Sequence, residues 1–281
     1  MKGTLIVCAT PIGNLDDVSP RLRATLESAD VVFAEDTRRT GKLLQRFGID
    51  AELRSFFVGN EQQRLGELRE RLRRGETVAL VSDAGMPSVS DPGVLAVRMA
   101  ADVGAAVTVV PGPSAVTSAL AVSGLGGDRF VFEGFLPRSA GERQRRMAAI
   151  AGDDRPTVVF SPPTRVAQDL ADLADHLGDA RSVVVAREMT KLHEEVWRGT
   201  LRDAANHWAS AIQPRGEFTM VIAPGVERPP DMAKALSAVD DLVSAGERLS
   251  TAVRDVAEAQ GVSRRLLYEA SLEARNSREQ S

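Results

Sequence analysis

Four short turns in the first half of the chain carry the residues whose types could do chemistry. Each turn follows an apolar run that is typical of a buried strand, and together they cover residues 10–14, 35–38, 82–87 and 111–115. Glycine and proline in such turns fix unusual backbone angles and let the main chain approach a ligand closely. Because open parallel sheets bind ligands at the carboxyl ends of their strands, we expect the four turns to form one site.

The polar residues of these turns limit the kind of ligand. The G-x-G-x-x-G dinucleotide fingerprint and the G-x-x-x-x-G-K-[ST] phosphate loop are both absent from the sequence, so the site is not built around a pyrophosphate. Asp83 and Ser114 suit a neutral or cationic polar ligand better than a polyanion. Glu35 and Asp36 are carboxylates that could accept a proton or position a hydroxyl group. Alternatively, both cap the helix that begins near Thr37, where acids favour the helix dipole.

Metal and thiol chemistry are not predicted. The three histidines lie far apart in the sequence and lack the spacing of metal ligands, so we expect no metal site. The single cysteine, Cys8, excludes an internal disulfide. Because Cys8 falls in an apolar strand, we interpret it as a small buried hydrophobic residue, with a redox or nucleophilic role as the less favoured alternative.

The charge balance argues against a protein that coats nucleic acid indiscriminately, because the net charge is −4. Basic residues nevertheless cluster at residues 38–46, 69–74 and 138–146. We interpret the first two clusters as solvated helix faces, whereas for the third a solvated face and a phosphate-binding face remain equally open. No apolar run approaches the roughly 20 residues that span a bilayer, and we expect a cytoplasmic protein.

Alternating strand and helix patterns must position the turns. Apolar runs predict strands at residues 4–9, 31–34, 77–81 and 106–110, with helical patterns between them. Continuous apolar strands separated by helices predict a parallel sheet covered on both faces. After a glycine-rich hinge at residues 124–127, the pattern repeats with strands at 130–133, 157–160, 182–186, about 194–198 and 218–222.

We therefore predict an α/β protein in three parts: an N-terminal lobe (1–123), a second α/β lobe that completes the ligand cleft (124–226) and a helical appendage (232–281). Within the appendage, residues 250–272 have helix–turn–helix spacing, with Gly261 in the turn. Arg264 and Arg265 would open the second helix, where a recognition helix meets nucleic acid. The alternative is a plain helical hairpin that packs on the body of the protein.

Seven sequence motifs, in this order, resemble the motif series of the tetrapyrrole methylase family, and more narrowly its ribosomal RNA branch. They are TPIGNL, AEDTR, SDAGMPSVSDPG, PGPSA, DRFVFEGFLPR, AREMTK and GEFTMVI. The resemblance runs from about residue 4 to residue 223. It implies the two-lobe tetrapyrrole methylase-like fold of class III methyltransferases, with S-adenosyl-L-methionine (AdoMet) bound in the cleft between the lobes, and a homodimer.

The resemblance also implies a reaction. The expected activity is methyl transfer to the 2′-oxygen of a cytidine ribose in the decoding region of bacterial small-subunit ribosomal RNA. AdoMet is already a strong electrophile, so much of the rate can come from holding the reacting atoms in line. The C-terminal helices resemble the helix–turn–helix appendage of the same branch, which strengthens the expectation that they contact RNA.

Individual site residues follow from the same resemblance. The donor pocket is expected to include Pro11, Gly13, Asp83, Ala84, Gly85, Pro111, Gly112, Ser114 and Ala115 from the first lobe and Phe135, Leu136, Glu217 and Thr219 from the second. On the acceptor side, Glu35 and Asp36 are candidates for the base or for the group that positions the ribose. Arg38 and Lys191 are candidates for contact with a phosphate or a developing alkoxide.

Three departures from the usual pattern of that branch fall on the expected substrate side. Residues 55–61 read SFFVGNE where the branch carries a histidine-rich stretch before Asn-Glu. Residues 160–165 read FSPPTR in place of an aromatic-Glu-x-Pro-His-Arg pattern, and Ser139 stands where lysine is common. These departures bear on the nucleotide target and leave the prediction of AdoMet binding unchanged.

Three alternative functions remain open at this point. One is a tetrapyrrole (precorrin-type) C-methyltransferase on the same fold, against which the AEDTR motif and the helical appendage argue. Another is a non-catalytic protein that binds AdoMet and RNA, which the departures at Ser161 and Thr164 support. The most distant is a DNA-binding regulator, which would require residues 232–281 to bind duplex DNA.

Overall fold

The structure is a computed structural model that describes residues 2–210, 215–225, 232–260 and 262–279, with side chains in the last two ranges described over 232–257 and 262–274. The chain divides into two compact units, Met1–Gly225 and Val226–Ser281. None of the helices in these described ranges is long and apolar enough to cross a membrane.

The first sheet of the larger unit is parallel, as predicted. Its strands are β1 (Thr4–Cys8), β2 (Val31–Ala34), β3 (Leu53–Ser55), β4 (Thr77–Val81) and β5 (Ala106–Val110), in the order β3-β2-β4-β1-β5. The helices that connect and follow them are α1 (Pro20–Ser28), α2 (Thr37–Phe47), α3 (Glu61–Arg73), α4 (Val94–Asp102) and α5 (Ala115–Ser123). The sequence pattern missed β3, a three-residue edge strand too short to show periodicity.

Local sequence signals explain where these helices begin and end. Ser19 caps α1, because its hydroxyl accepts a hydrogen bond from the Leu22 amide at 3.0 Å, and Pro20 supplies the first helical residue. Helix α2 ends at Gly48, whose φ of +67° lies in the left-handed region that glycine adopts without a steric penalty.

The middle of the first sheet provides a ligand-binding crevice. Strands β1 and β4 are neighbours, yet the chain leaves β1 towards β2 and leaves β4 in the opposite direction, towards β5. Such a switch point opens a crevice at the carboxyl ends of the strands. The loops after the two strands are tied together, because Thr10 N donates to Gly85 O at 2.9 Å and Gly85 N donates to Thr10 O at 3.1 Å.

The repeating pattern of the second half forms a mixed sheet rather than a second parallel one. Its strands are β6 (Val131–Phe135), β7 (Thr157–Ser161), β8 (Ser182–Arg187), β9 (Glu195–Thr200) and β10 (Phe218–Ile222), in the order β6-β7-β10-β8-β9. Only the β6 and β7 pair is parallel. Helices α6 (Ala140–Ala151), α7 (Val166–Leu177) and α8 (Leu201–Ser210) accompany this sheet. Helix α8 was missed in the sequence, although its apolar stripe is buried against β8 and α7.

Helix α5 joins the two sheets. Val116, Ala119 and Leu120 of α5 are buried in one cluster with Val158 of β7 and Val221 of β10. A helix from the first part of the sequence therefore packs on the second sheet. The lobe limits at residues 123 and 226 stay a prediction, since the contacts unite residues 1–225 in one unit.

The smaller unit contains three helices, α9 (Met232–Ser244), α10 (Leu249–Gln260) and α11 (Arg264–Glu279). Its core includes Val239, Val253 and Leu267, one from each helix. The predicted turn residue Gly261 lies outside the described residues. The order of helices around it agrees with helix–turn–helix spacing, with Arg264 opening α11.

Candidate functional site

A cavity of about 330 Å³ in the larger unit lies between loops of the first sheet and residues of the second. We call it the donor cavity, after the methyl donor that the sequence resemblance leads us to expect. It is lined by Ile12, Phe135 and residues 84–86, 89–91, 114–116, 160–163 and 217–219. Three of the four predicted turns therefore contribute to one wall, as expected for loops that leave the same sheet edge.

The predicted pocket residues divide into two groups. The donor cavity is lined by Ala84, Gly85, Ser114, Ala115, Phe135, Glu217 and Thr219. Other predicted residues lie nearby but outside its wall. Pro11 and Asp83 line a neighbouring cavity of about 160 Å³, which Arg39 and Lys42 of α2 also line. Leu136 is buried and lines a third cavity. Gly13, Pro111 and Gly112 do not line any of these three cavities, and a Cβ atom built on Gly112 would lie 3.0 Å from Ala9 Cβ.

Sequence reasoning missed several lining residues. Asp91 lies in a motif that was quoted as a whole, but it was not singled out. Phe160 and Ser161 form the carboxyl end of β7 and Pro162 follows it, which is the same sheet-edge position that identified the first-lobe turns. The sequence resemblance places these residues on the substrate side, but they also line the donor cavity.

Glu35 and Asp83 hold the ends of β2 and β4 together. Glu35 Oε2 accepts a hydrogen bond from Asp83 N at 3.2 Å, and Asp83 Oδ1 accepts one from Asp36 N at 2.9 Å. Burial raises the pKa of Glu35, and the negative charge of Asp83 raises it further, although the hydrogen bond from Asp83 N opposes the shift. Glu35 is therefore the carboxylate of this turn that holds a proton more readily than an ordinary glutamate.

Asp91 extends this group of carboxylates into the donor cavity. Burial raises the pKa of Asp91 to about 6, and the charges of Glu35 and Asp83 add to the effect while Ser82 opposes it. Arg39 opposes these charges by direct contact, since its Nη1 lies 3.1 Å from Asp83 Oδ2. The arrangement leaves the cavity wall acidic, as suits a cationic ligand.

Asp36 is the N-cap of α2, and its carboxylate is already engaged. It accepts from the Arg38 amide at 2.8 Å and from the Arg38 guanidinium at 3.1 and 2.8 Å. These bonds to Arg38 hold the pKa of Asp36 well below its usual range. The capping alternative for Asp36 thus describes its contacts, and a carboxylate with so low a pKa is a weak proton acceptor.

Lys191 bridges two carboxylates beside the cavity. Its Nζ donates to Glu188 Oε1 at 2.8 Å and to Glu217 Oε2 at 3.0 Å. Burial alone would lower the pKa of Lys191, but the two carboxylates raise it above its ordinary value. Glu188 Oε1 also accepts from the Glu217 amide at 2.9 Å. Lys191 therefore holds the segment that carries Glu217, one wall of the donor cavity.

The described residues contain no cluster of three or more His, Cys, Asp or Glu side chains that could hold a metal ion. Cys8 is fully buried in β1, and burial raises the pKa of its thiol to about 12. A thiol with that pKa stays protonated, as the interpretation of Cys8 as a core residue requires.

The fold and the donor cavity define a two-sheet α/β protein of the class III methyltransferase type. The profile of the family described as Tetrapyrrole (Corrin/Porphyrin) Methylases matches residues 4–205. Among solved structures, the methyltransferase CobJ superposes with a TM-score of 0.61 at 19% identity, over 80% of this chain and 95% of that one. Uroporphyrin-III C-methyltransferase from Thermus thermophilus, complexed with S-adenyl homocysteine, gives 0.54 at 18% identity, over 79% and 97%. These similarities concern the fold alone.

The chain belongs to the tetrapyrrole methylase family. Curated relatives called ribosomal RNA small subunit methyltransferase I match it closely. The one from Synechocystis sp. is 43% identical over 96% of this chain and 98% of its own length. The one from Mycobacterium tuberculosis H37Rv is 43% identical over 98% and 96%. The one from Thermotoga maritima is 46% identical over 79% of this chain and 98% of its own length.

Proposed function

We propose that the protein is an AdoMet-dependent methyltransferase that modifies small-subunit ribosomal RNA, at the 2′-oxygen of a cytidine ribose in the decoding region. The observation that carries this proposal is the identity of 43% with a ribosomal RNA small subunit methyltransferase I over 96% of this chain. The acceptor is inferred from that relative, and the donor cavity provides the place for the methyl donor.

The donor cavity fits AdoMet by size and by chemistry. Its volume of about 330 Å³ lies within the range of small-molecule sites. Ile12, Phe135 and Phe160 offer apolar surface for a nucleoside base, and the carboxylates of Asp91 and Glu217 suit the positive charges of the donor. When bound, the donor supplies a methyl group on a sulfonium, which is a strong electrophile.

The acceptor hydroxyl must lose a proton as it attacks, and we assign that proton to Glu35. Its raised pKa brings it closer to the pH at which a general base works best. Asp36 orients Arg38 through its bonds to the Arg38 guanidinium, and the exposed Arg38 is then available to an RNA phosphate. Lys191 acts by holding Glu188 and Glu217 rather than by contacting the alkoxide.

The remaining parts of the proposal concern partners and location. Strand β5 is an edge strand with Val107 and Val109 exposed, a surface that supports a homodimer. The smaller unit places Arg264 and Arg265 at the start of α11, which supports RNA contact. The proposed acceptor, the small ribosomal subunit, makes the cytoplasm the proposed location.

Mass spectrometry of ribosomal RNA tests the reaction. Cells that lack the protein should lack one ribose methyl group in small-subunit RNA, and a plasmid copy should restore it. Purified protein should transfer label from AdoMet to unmethylated small subunits and not to a precorrin. Transfer to the precorrin alone would replace this proposal with a tetrapyrrole C-methyltransferase, and uptake of AdoMet without transfer would indicate a binding protein.

A further inference from the structure

The donor cavity adjoins a second cavity with different chemistry, which we call the arginine cavity. It has a volume of about 310 Å³ and is lined by Phe135, Leu136, Arg138, Pro162, Arg165 and Asp169. Phe135 and Pro162 also line the donor cavity, so the two cavities share a wall. Whatever occupies the arginine cavity lies directly beside the donor.

Both arginines of this cavity are available to an anion. Arg138 is exposed and makes no hydrogen bond or ion pair within the part of the chain that the structure describes. The Arg165 side chain is 25% exposed, and among the described residues it forms a single ion pair, to Asp169 Oδ1 at 3.3 Å. A guanidinium with free donors is the group that best matches the oxygens of a phosphate.

Asp169 offsets the charge of Arg165 only in part, because its carboxylate is shared with other groups. Its Oδ1 accepts from Arg143 Nη2 at 2.8 Å, and its Oδ2 accepts from Ser161 Oγ at 2.6 Å. Arg143 also donates to Asp172 Oδ2 at 2.7 Å. Around the cavity, three arginines (138, 143 and 165) therefore face two aspartates (169 and 172), which leaves an excess of one positive charge.

The same bonds hold Arg165, and the loop that carries Arg138, in position before any ligand arrives. Arg143, which is 9% exposed, donates to Pro137 O at 3.3 Å and so links α6 to the loop that carries Arg138. Arg165 is held at the start of α7 by Asp169, four residues along that helix. Groups already fixed in position lose little conformational freedom on binding, which favours affinity.

We propose that the arginine cavity binds a phosphodiester of the RNA acceptor strand, with Arg138 and Arg165 as the phosphate-binding residues. This inference rests on the proposed function and adds a subsite to it. The carboxylate of AdoMet is the other anion that could come this close. RNA is favoured because Arg138 is exposed on the rim, where a strand that extends beyond the donor cavity can reach it.

Arg138→Gln and Arg165→Gln variants of the full chain test the proposal. Arg145→Gln is the matched control. Like Arg138, Arg145 is exposed and unpaired among the described residues, but it lies on α6 and does not line the cavity. Binding to unmethylated small subunits is measured against salt concentration, and binding of S-adenosylhomocysteine is measured by calorimetry. Arg138→Gln removes no contact within the described residues, so we expect it to leave the stability unchanged. This variant therefore tests the phosphate subsite even if Arg165→Gln lowers the stability.

We expect each cavity variant to bind small subunits about tenfold more weakly, with the salt slope reduced by about 0.7 for each phosphate contact removed. Affinity for S-adenosylhomocysteine and the binding of Arg145→Gln should match the wild type. Unchanged RNA binding by Arg138→Gln, or an equal loss in Arg145→Gln, would overturn the subsite. A parallel loss of S-adenosylhomocysteine affinity would assign the arginines to the donor carboxylate. Wild-type protein that neither binds nor methylates small subunits would instead overturn the proposed function itself.

Discussion

Lys191 lies across Gly13, so a loop of the second sheet is held against the first turn of the first sheet. A Cβ atom built on Gly13 would clash with Lys191 Cγ and would lie 2.9 Å from Lys191 Cε. At the end of the same side chain, Lys191 Nζ bridges Glu188 and Glu217, and Glu217 lines the donor cavity. The absence of a side chain at residue 13 therefore allows a contact that positions a cavity wall.

Gly13→Ala should destabilise the protein, because the new methyl group and the Lys191 stem cannot occupy the same space. Overpacking of this kind costs about 1–3 kcal/mol in the free energy of unfolding. In the double variant Gly13→Ala/Lys191→Ala, the cost should be smaller than the sum of the two single costs. Urea unfolding measures the free energy of unfolding of the two single variants and the double variant.

Gly66→Ala is the control, because no atom lies within 4 Å of the new Cβ, and it should not destabilise the protein. Strict additivity would contradict the proposed contact.

Glu35→Gln should lower the rate of methyl transfer far more than Asp36→Asn. A positioned general base contributes about 10²–10⁴-fold to a rate, and Glu35 has the raised pKa, whereas Asp36 is engaged by Arg38. Single-turnover assays with labelled AdoMet and unmethylated small subunits compare the two. The assignment fails if Asp36→Asn loses as much activity as Glu35→Gln while both bind S-adenosylhomocysteine normally.

The pH dependence of the wild type provides a separate check on Glu35. A base must be deprotonated to act, so the rate should fall as pH decreases through the raised pKa of Glu35. Because a neutral amide does not titrate, the residual activity of Glu35→Gln should not show this fall in rate, the acidic limb of the pH–rate profile. An identical limb in wild type and variant would point to another titrating group, with Asp91 as the nearest candidate.

Asp91→Asn should stabilise the donor-free protein at neutral pH. The folded pKa of Asp91, about 6, lies above the usual value of 3.8, so wild-type stability falls as pH rises from about 4 through 6. The Asp91→Asn variant does not lose this stability. We expect the difference in the free energy of unfolding to be on the order of 1 kcal/mol after discounting for solvent screening. Thermal unfolding at pH 4 and pH 8 should give a difference only at pH 8. Asp102→Asn, on the exposed end of α4, is the control and should leave the stability unchanged at both pH values. A gain in stability of Asp91→Asn at pH 4 as well as at pH 8 would refute the charge argument.

A chain that ends at Gly225 should keep donor binding and lose part of its affinity for the small subunit. The donor cavity is lined entirely by residues of the unit Met1–Gly225. The Thermotoga maritima relative aligns over 221 residues that make up 98% of its length, so it has little room for an appendage. Calorimetry with S-adenosylhomocysteine and subunit-binding assays separate the two properties. Equal subunit affinity of the full and shortened chains would remove the proposed RNA contact of the appendage.

The amino-acid sequence by itself determined the parallel sheet and the motif series. Strands β2, β4 and β10 have the predicted limits, because buried strands of a covered sheet are continuous apolar runs. Strand β5 also has its predicted limits, although four of its five residues are exposed at the sheet edge. The turns after β1, β4 and β5 were assigned to one site for a reason that is also local, since parallel strands end at the same edge. The motif series predicts the family, and the family profile that matches residues 4–205 confirms it.

Only the tertiary structure decided which of these residues meet. Periodicity could not distinguish the mixed second sheet from a parallel one, because strand direction depends on pairing between distant segments. Arg143 and Arg138 belong to one basic cluster in the sequence, yet one is buried against Asp169 and the other is exposed beside a cavity. Lys191 lies 178 residues beyond Gly13 and still covers it. Such contacts join residues that are far apart along the chain, so packing determines them, and no local pattern in the sequence encodes them.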